Sequence, residues 1–484
     1  MGEPGEEAGP GAPALSGDSG VPAGTPSGGL DESHDSAPAR CPRNFPTGHV
    51  PNRSGRKTTT QGTRKNPMKA KNILMASALA ISSASLALAA DIEIRITGAT
   101  AFRASADSAI QNILGSPTVS WVGTSTSASA NQAIYRGTLG SDTVTIKTTW
   151  SGSAAGVGAL ALQTQPVLDW LDDEALGTPG QISPEDAADL QVPGIAHAAF
   201  SDVYQGSTIY TQYSDPALPT DPHVRLEDNP VGVIPFVFVR GSSSNSATAP
   251  GSGGAWNGHF HSVTNITTQQ ARLIWEVGAP LSFFTKNEDH FAFKVLPLGR
   301  NDSSGTRITT LAEINFPTYN LTPVINQYQA SVSGSAITAV VSIGGGGESS
   351  GGTLAGIVGN SVAANATVDS ATIPFGLVTY LGISDAANVA GITFNGTTGE
   401  FGSTSDNLVL SYNGVPFSYD AVKEGKYTLW GYEHVYYRPT LGSPELPVVT
   451  ALINQIVETD AAVAGILLED VNVTRQTEGG VVYP

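Results

Sequence analysis

Residues 91–114 read DIEIRITGATAFRASADSAIQNIL, and the spacing of their apolar side chains changes partway along. Apolar and polar residues alternate over 92–96, which is the period of a β-strand. After a turn at 97–100, apolar residues recur at helical spacing over 102–114. The segment therefore predicts a strand, a tight turn and a helix.

The same order of elements recurs along the chain. Residues 144–162 have the pattern of an alternating strand, a Ser-Gly-Ser turn and a helix of small and apolar residues. A further strand at 195–200 ends in Ser201 and Asp202, and the strongly apolar run 231–239 predicts a buried crossing strand. Strands that alternate with helices in this way predict an α/β fold with mostly parallel sheets.

Chain length and composition bear on the number of lobes. A chain of 484 residues exceeds what one hydrophobic core usually supports, so we expect at least two lobes or domains. Only 14% of the residues are charged. We nevertheless expect no stretch after the first hundred residues to be long and apolar enough to span a bilayer, and so expect the bulk of the chain to be soluble.

The N-terminal part of the chain divides at Met68. Residues 1–67 are rich in Gly, Pro and Ser without apolar periodicity, which predicts disorder. Residues 68–89 carry a short basic segment, an apolar segment diluted by serines and an Ala-Leu-Ala cleavage site, as a secretory signal peptide does. We therefore expect an exported protein, periplasmic or extracellular. Residues 1–67 are expected to come from a misassigned start, and a genuine long leader is the alternative.

Charge and cysteine content exclude several classes of function. The single cysteine, Cys41, precedes the signal peptide, which excludes disulfides, thiol catalysis and a lipid anchor in the exported chain. Of 24 Lys and Arg and 42 Asp and Glu residues, 9 and 7 precede residue 91. The acidic remainder argues against nucleic acid or an anionic membrane as a partner, but not against a small anion in a buried site. The histidines lack a metal-binding spacing, and we expect no cofactor.

The loop RNDSSGT, which begins at Arg300, is the most informative candidate site. In open α/β sheets, ligands bind beyond the carboxyl ends of strands, where helix N-termini offer unpaired N–H groups. Gly305 permits close approach of the backbone, and the hydroxyls of Ser304 and Thr306 can donate to an oxyanion. Arg300 can donate two hydrogen bonds to the oxyanion in a bidentate geometry, and Asp302 would orient the guanidinium and partly neutralise its charge. A capped helix start with a surface salt bridge is the alternative explanation.

The motif Arg-x-Asp-x-Ser-Gly-Thr in this loop resembles the anion loop of the phosphate-binding subunits of bacterial phosphate ABC transporters, members of the type II periplasmic-binding-protein superfamily. Five other segments are similar to family segments in the same chain order: ITGATAF at 96–102, SGSAAG at 151–156, AAFSD at 198–202, TNITTQQARLIWEVG at 264–278 and VKEGKYTLWGYEHVYYRP at 422–439. The resemblance implies a two-lobed α/β fold with a discontinuous first lobe. We place that lobe at 91–232 and 372–484, and the second lobe at 233–371.

The resemblance also implies which residues hold the anion. Carried over position by position, the ligand-binding residues are Thr100, Ala101, Ser153, Asp202, Arg300, Ser304, Gly305 and Thr306, with Asp302 behind the arginine. Asp202 would accept a hydrogen bond from a protonated phosphate oxygen. Selection against sulfate would follow, because sulfate at neutral pH has no proton to give.

The sequence departs from the family pattern in the first lobe. Ala154 and Ala155 replace glycines of the second turn, and Arg103 replaces the proline of the first. Arg103 either adds a second cation to the site or points to solvent. The glycine-rich residues 344–352 lack the Lys-Ser/Thr ending of a P-loop and are interpreted as a flexible loop before a helix.

The function that the resemblance implies is capture of inorganic phosphate, or a similar oxyanion, by an exported monomer that serves a membrane ABC permease. An enzyme is not expected, because the sequence offers neither a metal cluster nor a serine paired with a histidine base. A phosphatase built on the fold stays an alternative, as does a secreted surface or matrix protein that kept the fold and lost its ligand. Residues 166–193 and 241–261 are interpreted as insertions.

Overall fold

The computed structural model describes residues 89–211, 222–245, 256–318, 324–402 and 408–484. The predicted disorder of 1–67 lies outside the described residues, and so does the predicted signal peptide up to residue 88.

Strands and helices alternate along the described chain. The strands are β1 Asp91–Gly98, β2 Thr118–Val122, β3 Gln132–Leu139, β4 Asp142–Thr149, β5 Leu168–Leu171, β6 Gly180–Ile182, β7 Gln191–Gly194, β8 Ala198–Ser201, β9 Glu227–Ser244, β10 Asn265–Ile266, β11 Ala279–Pro280, β12 Lys294–Pro297, β13 Gln327–Ser333, β14 Ala336–Gly344, β15 Ser361–Val368, β16 Phe375–Gly382, β17 Thr393–Asn395, β18 Glu400–Gly402, β19 Ser411–Tyr412 and β20 Trp430–Tyr437. The helices are α1 Arg103–Ile113, α2 Ser153–Ala161, α3 Pro184–Ala188, α4 Trp256–His261, α5 Thr268–Val277, α6 Ser282–Thr285, α7 Gly305–Glu313, α8 Gly351–Val358, α9 Ile383–Ala387, α10 Tyr419–Lys423, α11 Glu445–Gln455 and α12 Ala461–Ala464.

The first strand, turn and helix form as the sequence predicts. β1 alternates between buried and less buried residues in its first half, with Ile92 and Ile94 in the core. α1 turns Ile110 inward, and Phe102 at its start stacks on Phe200 of β8 with 6.0 Å between ring centroids. This stacking fixes the turn between β1 and α1 against the end of a neighbouring strand.

Eleven strands form one sheet in the order β11-β12-β16-β9-β20-β8-β1-β4-β3-β2-β6. The α/β class is therefore confirmed. The expectation of mostly parallel sheets was wrong, because only four of the ten neighbouring pairs in this sheet are parallel: β12 with β16, β8 with β1, β1 with β4 and β2 with β6. β3 and β4 are joined by a tight turn at Gly140 and Ser141, which makes them an antiparallel hairpin.

The long strand β9 joins two groups of strands. Its 18 residues pair with β20 over one half and with β16 over the other. Residues 231–239 within it are buried, which confirms the predicted crossing strand. The strands on the β20 side come from residues 91–201 and 430–437, and those on the β16 side come from residues 279–382. The lobe boundaries stay a prediction.

One helical run, Glu445–Ala464, is long and apolar enough to cross a membrane by length and composition. The expectation that no stretch of this kind follows the first hundred residues was therefore wrong. The run consists of α11, a π-helical turn and α12, and it buries Val448, Val449 and Leu452. Both helices pack on α1, so the run is apolar because it covers one side of the core.

The segment 166–193 packs against the helix that follows β4. β5 and β7 pair as a separate two-stranded sheet, and β6 extends the edge of the central sheet beside β2. Trp170 of β5 is fully buried, and its indole N–H donates to the carbonyl of Gly194 at 3.0 Å. Trp170 belongs to the same apolar cluster as Leu160 of α2, so this segment supports α2 from one side.

Candidate functional site

Three strand ends meet at one edge of the central sheet. β1 lies between β4 and β8, and the three strands run parallel, so the residues that follow them are neighbours in space. These residues include Thr100 after β1, Ser153 after β4 and Asp202 after β8. All three side chains are buried. The structure thus brings together three residues that the sequence places in separate turns.

Asp202 connects two distant segments through its carboxylate. The Ser153 hydroxyl donates to Oδ1 of Asp202 at 2.8 Å, and the Thr306 hydroxyl donates to Oδ2 at 3.1 Å. Ser153 is the first residue of α2, whereas Thr306 is the second residue of α7. Because Asp202 is only 1% exposed, these two donors satisfy an acceptor that water barely reaches.

Helix α7 begins directly at the site. Ser304 caps it by accepting a hydrogen bond from the backbone N–H of Arg307, which leaves the Ser304 hydroxyl proton available to another acceptor. Gly305 follows, and a Cβ atom there would lie 2.6 Å from Cβ of Ser153. Only glycine allows the backbone of α7 to come this close to α2.

Arg300 is held in place by the glycine-rich loop. Arg300 is 2% exposed, and its guanidinium donates to the carbonyls of Glu348 at 3.1 Å and Ser349 at 2.8 Å. The same group donates to the hydroxyl of Thr100 at 3.1 Å. A Cβ on Gly347 would lie 2.4 Å from the carbonyl carbon of Arg300. The interpretation of 344–352 as a flexible loop missed this contact, because nothing in its composition indicates which residue it covers.

Two further charged residues lie near Arg300. Burial raises the pKa of the Asp385 carboxyl, while Arg103 and Arg300 lower it. Burial also lowers the pKa of Arg103, which Asp385 opposes, and Arg103 donates to the side-chain oxygen of Asn131 at 2.7 Å. Burial lowers the pKa of Arg300 most, and the charge of Arg103 lowers it further. Of the two alternatives for Arg103, these interactions favour a second cation beside the site over a side chain in solvent.

Asp302 and Ala101 are less buried than the other predicted site residues. Asp302 is exposed, and its carboxylate accepts a hydrogen bond from Ser303 at 3.4 Å. In the described part of the chain it has no ion pair or hydrogen bond with Arg300, and Asp385 is the acid that acts most on that arginine. Ala101 is partly buried and lies beside Gly382, the last residue of β16.

The pKa of Asp202 lies above its ordinary value, although its polar neighbours favour the charged form. Burial raises its pKa, whereas the hydrogen bonds from Ser153 and Thr306 and the nearby charge of Arg300 lower it. Hydroxyls, helix N-termini and a buried guanidinium are donors, and Asp202 is an acceptor among them. This set of groups is suited to an oxyanion that carries one proton.

Comparisons with known proteins find only distant likeness. No family model matches the chain, and no curated protein matches its sequence. Among solved structures, an ABC-type phosphate transport receptor from Vibrio cholerae is 11% identical with a TM-score of 0.36, over 78% of this chain and 99% of that one. A putative phosphate ABC transporter substrate-binding protein from Clostridium perfringens with bound phosphate is 12% identical with a TM-score of 0.37, over 78% and 98%. PstS from Borrelia burgdorferi is 13% identical with a TM-score of 0.32, over 78% of this chain and 98% of that one. Values this low do not identify the ligand of this chain.

Proposed function

We propose that the protein is an exported solute-binding protein that holds inorganic phosphate between its lobes and presents it to a membrane ABC permease. The observation that carries this proposal is the meeting of Ser153, Asp202 and Thr306 through hydrogen bonds of 2.8 and 3.1 Å. Ser153 and Asp202 belong to the proposed first lobe, and Thr306 belongs to the second. A ligand bound here touches both lobes and favours their closed arrangement.

The proposed ligand matches the donors and the acceptor in number and kind. Ser153 and Thr306 turn their hydroxyls from Asp202 to phosphate oxygens, and Arg300 supplies positive charge that its backbone partners have already positioned. The proton of a hydrogen phosphate ion then satisfies the freed carboxylate of Asp202. Ala101, Ser304 and Gly305 complete the proposed contacts.

The setting of the protein is part of the proposal. Residues 68–89 direct export to the periplasm or the extracellular space, and the exported chain acts as a monomer without a cofactor and without catalysis. Its acidic surface leaves no role for nucleic acid. Capture of a small anion needs only the local donors, because salt screens the remote negative charge.

Titration calorimetry of the purified protein with phosphate and with sulfate tests the proposal. We expect phosphate to bind and sulfate to bind far more weakly, and we expect Arg300→Ala and Asp202→Ala to abolish phosphate binding. Arg136→Ala is the matched control, because Arg136 pairs with Asp91 at the opposite end of β1 and is partly exposed. Phosphatase turnover in the same sample would favour the enzyme. Absence of binding to either anion would favour a surface or matrix protein that has lost its ligand.

A further inference from the structure

Glu433 is a completely buried acid beside the site. It lies on β20, where it is 0% exposed. The next residue on β20 is opposite Ser201 of β8, which directly precedes Asp202 in the chain. Neither carboxyl oxygen of Glu433 accepts a hydrogen bond from a described residue. A carboxylate in this position would be charged, desolvated and unpaired, which is the costliest state for the group.

The charge near Glu433 is that of another acid. Burial raises the pKa of Glu433 well above its ordinary value, and the negative charge of Asp202 raises it further. On β9 the residue opposite Glu433 is Gly232, which offers no side chain. His434, the next residue on β20, pairs with Asp228 at 2.6 Å. No cation compensates Glu433 among these neighbours.

The two acids have different surroundings. Burial raises the pKa of both acids, but Asp202 also receives hydrogen bonds from Ser153 and Thr306 and the attraction of Arg300, so it gives up its proton before Glu433 does. Glu433 receives none of these contributions, so a proton shared by the pair resides on Glu433. A protonated carboxyl group has one O–H donor, and the register of β20 on β8 places Glu433 opposite Asp202, whose carboxylate oxygens are strong acceptors.

We propose that Glu433 is a specificity-determining positioning residue, a neutral acid that donates a hydrogen bond to Asp202 and thereby keeps Asp202 a charged acceptor for the proton of the bound anion. This inference rests on the proposed function, since the anion is taken to be hydrogen phosphate. Glu433 does not touch the anion and acts through Asp202. Without this donor Asp202 takes up a proton more readily, and a protonated Asp202 can donate to sulfate. The ratio of phosphate affinity to sulfate affinity then falls.

A pair of variants separates this role from simple packing. Glu433→Gln keeps an N–H donor without a charge, and Glu433→Leu keeps much of the volume without a donor. Calorimetry with phosphate and with sulfate at several pH values is expected to give the wild-type affinity ratio in Glu433→Gln. In Glu433→Leu we expect the ratio to fall about tenfold, most strongly at acidic pH, as for loss of a hydrogen bond to a charged group. A wild-type ratio in Glu433→Leu at every pH would overturn the proposal.

Infrared difference spectroscopy covers the case in which Glu433→Leu does not fold. We expect the ligand-free protein at neutral pH to give the carbonyl band of a protonated carboxylic acid, and we expect Glu433→Gln to lack that band. A wild-type spectrum without the band would show Glu433 ionised and would overturn the proposal. If the wild-type protein binds neither anion, the proposed function fails, whereas the infrared band still decides whether Glu433 carries the proton.

Discussion

Gly305 lies so close to Ser153 that a Cβ atom on the glycine would fall 2.4 Å from the Ser153 hydroxyl oxygen. The same atom would lie 3.0 Å from Cγ of Asp202. We therefore expect Gly305→Ala to push α7 away from α2 and to weaken phosphate binding at least tenfold. The free energy of unfolding should fall by about 1–3 kcal/mol, as for an overpacked core. Calorimetry and urea unfolding measure the two effects.

Gly356→Ala is the matched control for this substitution. Gly356 is an exposed residue inside α8, and a Cβ atom there would meet nothing within 4 Å. Alanine in the middle of a helix should raise the stability by about 0.5–1 kcal/mol and leave phosphate binding unchanged. Equal effects of the two substitutions would contradict the close approach of α7 to Ser153.

Arg300 should not tolerate a change to lysine. Its guanidinium reaches the carbonyls of Glu348 and Ser349 and the hydroxyl of Thr100 at the same time, which a single ammonium group cannot reproduce. We expect Arg300→Lys to lose about 1.5–3 kcal/mol of phosphate binding free energy, the range for hydrogen bonds of charged groups. Titration calorimetry measures this loss.

Arg136→Lys provides the comparison for Arg300→Lys. Arg136 forms ion pairs with Asp91 and Asp173 at the surface, and exposed pairs contribute about 0–1 kcal/mol. The affinity of the Arg136→Lys variant for phosphate should equal that of the wild-type protein. Retention of wild-type affinity in Arg300→Lys would mean that the positive charge alone, and not the guanidinium geometry, is needed.

Substitutions of Asp385 and Asp302 show which of the two acids acts more strongly on the charge of Arg300. Asp385 acts on Arg300 and Arg103 and also repels Asp202, so Asp385→Asn removes a negative charge that competes with the anion. We expect this substitution to tighten phosphate binding, more at low salt than at high salt. Asp302→Asn should change the affinity less, because Asp302 is exposed and contacts Ser303. Calorimetry at two ionic strengths compares them, and a larger effect of Asp302→Asn would contradict this assignment.

Local sequence predicted the parts of the site that follow strands. The alternating apolar residues before Thr100 and Ser153 identify strand ends, and the meeting of those ends follows from the parallel pairing of β1 and β4. The chain order alone does not indicate that β20 inserts between β8 and β9. For this reason Glu433 has the sequence pattern of an ordinary strand residue, although it lies next to Asp202.

The difference between Asp302 and Asp385 has the same origin. Asp302 is two residues from Arg300 in the sequence, which made it the natural candidate for a partner. Asp385 is distant in the sequence and lies on α9, directly after β16. A Cβ atom on Gly351, the first residue of α8, would lie 1.9 Å from a carboxylate oxygen of Asp385. Long-range contacts of this kind depend on strand order, which no local pattern determines.

The buried acids give a defined dependence of stability on pH. The pKa of Glu433 in the folded protein lies well above its ordinary value of 4.5, so the folded state binds more protons than the unfolded state above that pH. Its contribution to stability is complete below pH 4.5 and is lost as the pH rises toward the folded-state pKa. Asp202 and Asp385 act in the same direction. The free energy of unfolding should therefore decrease as the pH rises above about 5.

Glu433→Gln measures the contribution of Glu433 to this pH dependence of stability. The comparison applies at pH values where wild-type Glu433 is protonated in the folded protein and ionised in the unfolded one. There the free energy of unfolding of the variant should fall less steeply with pH than that of the wild type, by up to about 1.4 kcal/mol per pH unit. Urea unfolding at several pH values measures the two slopes. Glu185→Gln on the exposed first turn of α3 should leave the wild-type slope, and an unchanged slope in Glu433→Gln would mean that Glu433 ionises in the folded protein.

Asp202→Asn tests the acceptor itself. The asparagine amide has nearly the same shape, and it adds N–H donors where the wild-type protein has only acceptor oxygens. A sulfate oxygen that met an unpaired carboxylate now meets a donor, while the proton of hydrogen phosphate loses a charged acceptor. We therefore expect phosphate to bind more weakly, sulfate to bind more tightly and the affinity ratio to fall at least tenfold in calorimetry at neutral pH. Wild-type discrimination in Asp202→Asn would assign the selection to other groups, because Asp202 would then contribute charge but not the single acceptor that distinguishes a protonated oxyanion from an unprotonated one.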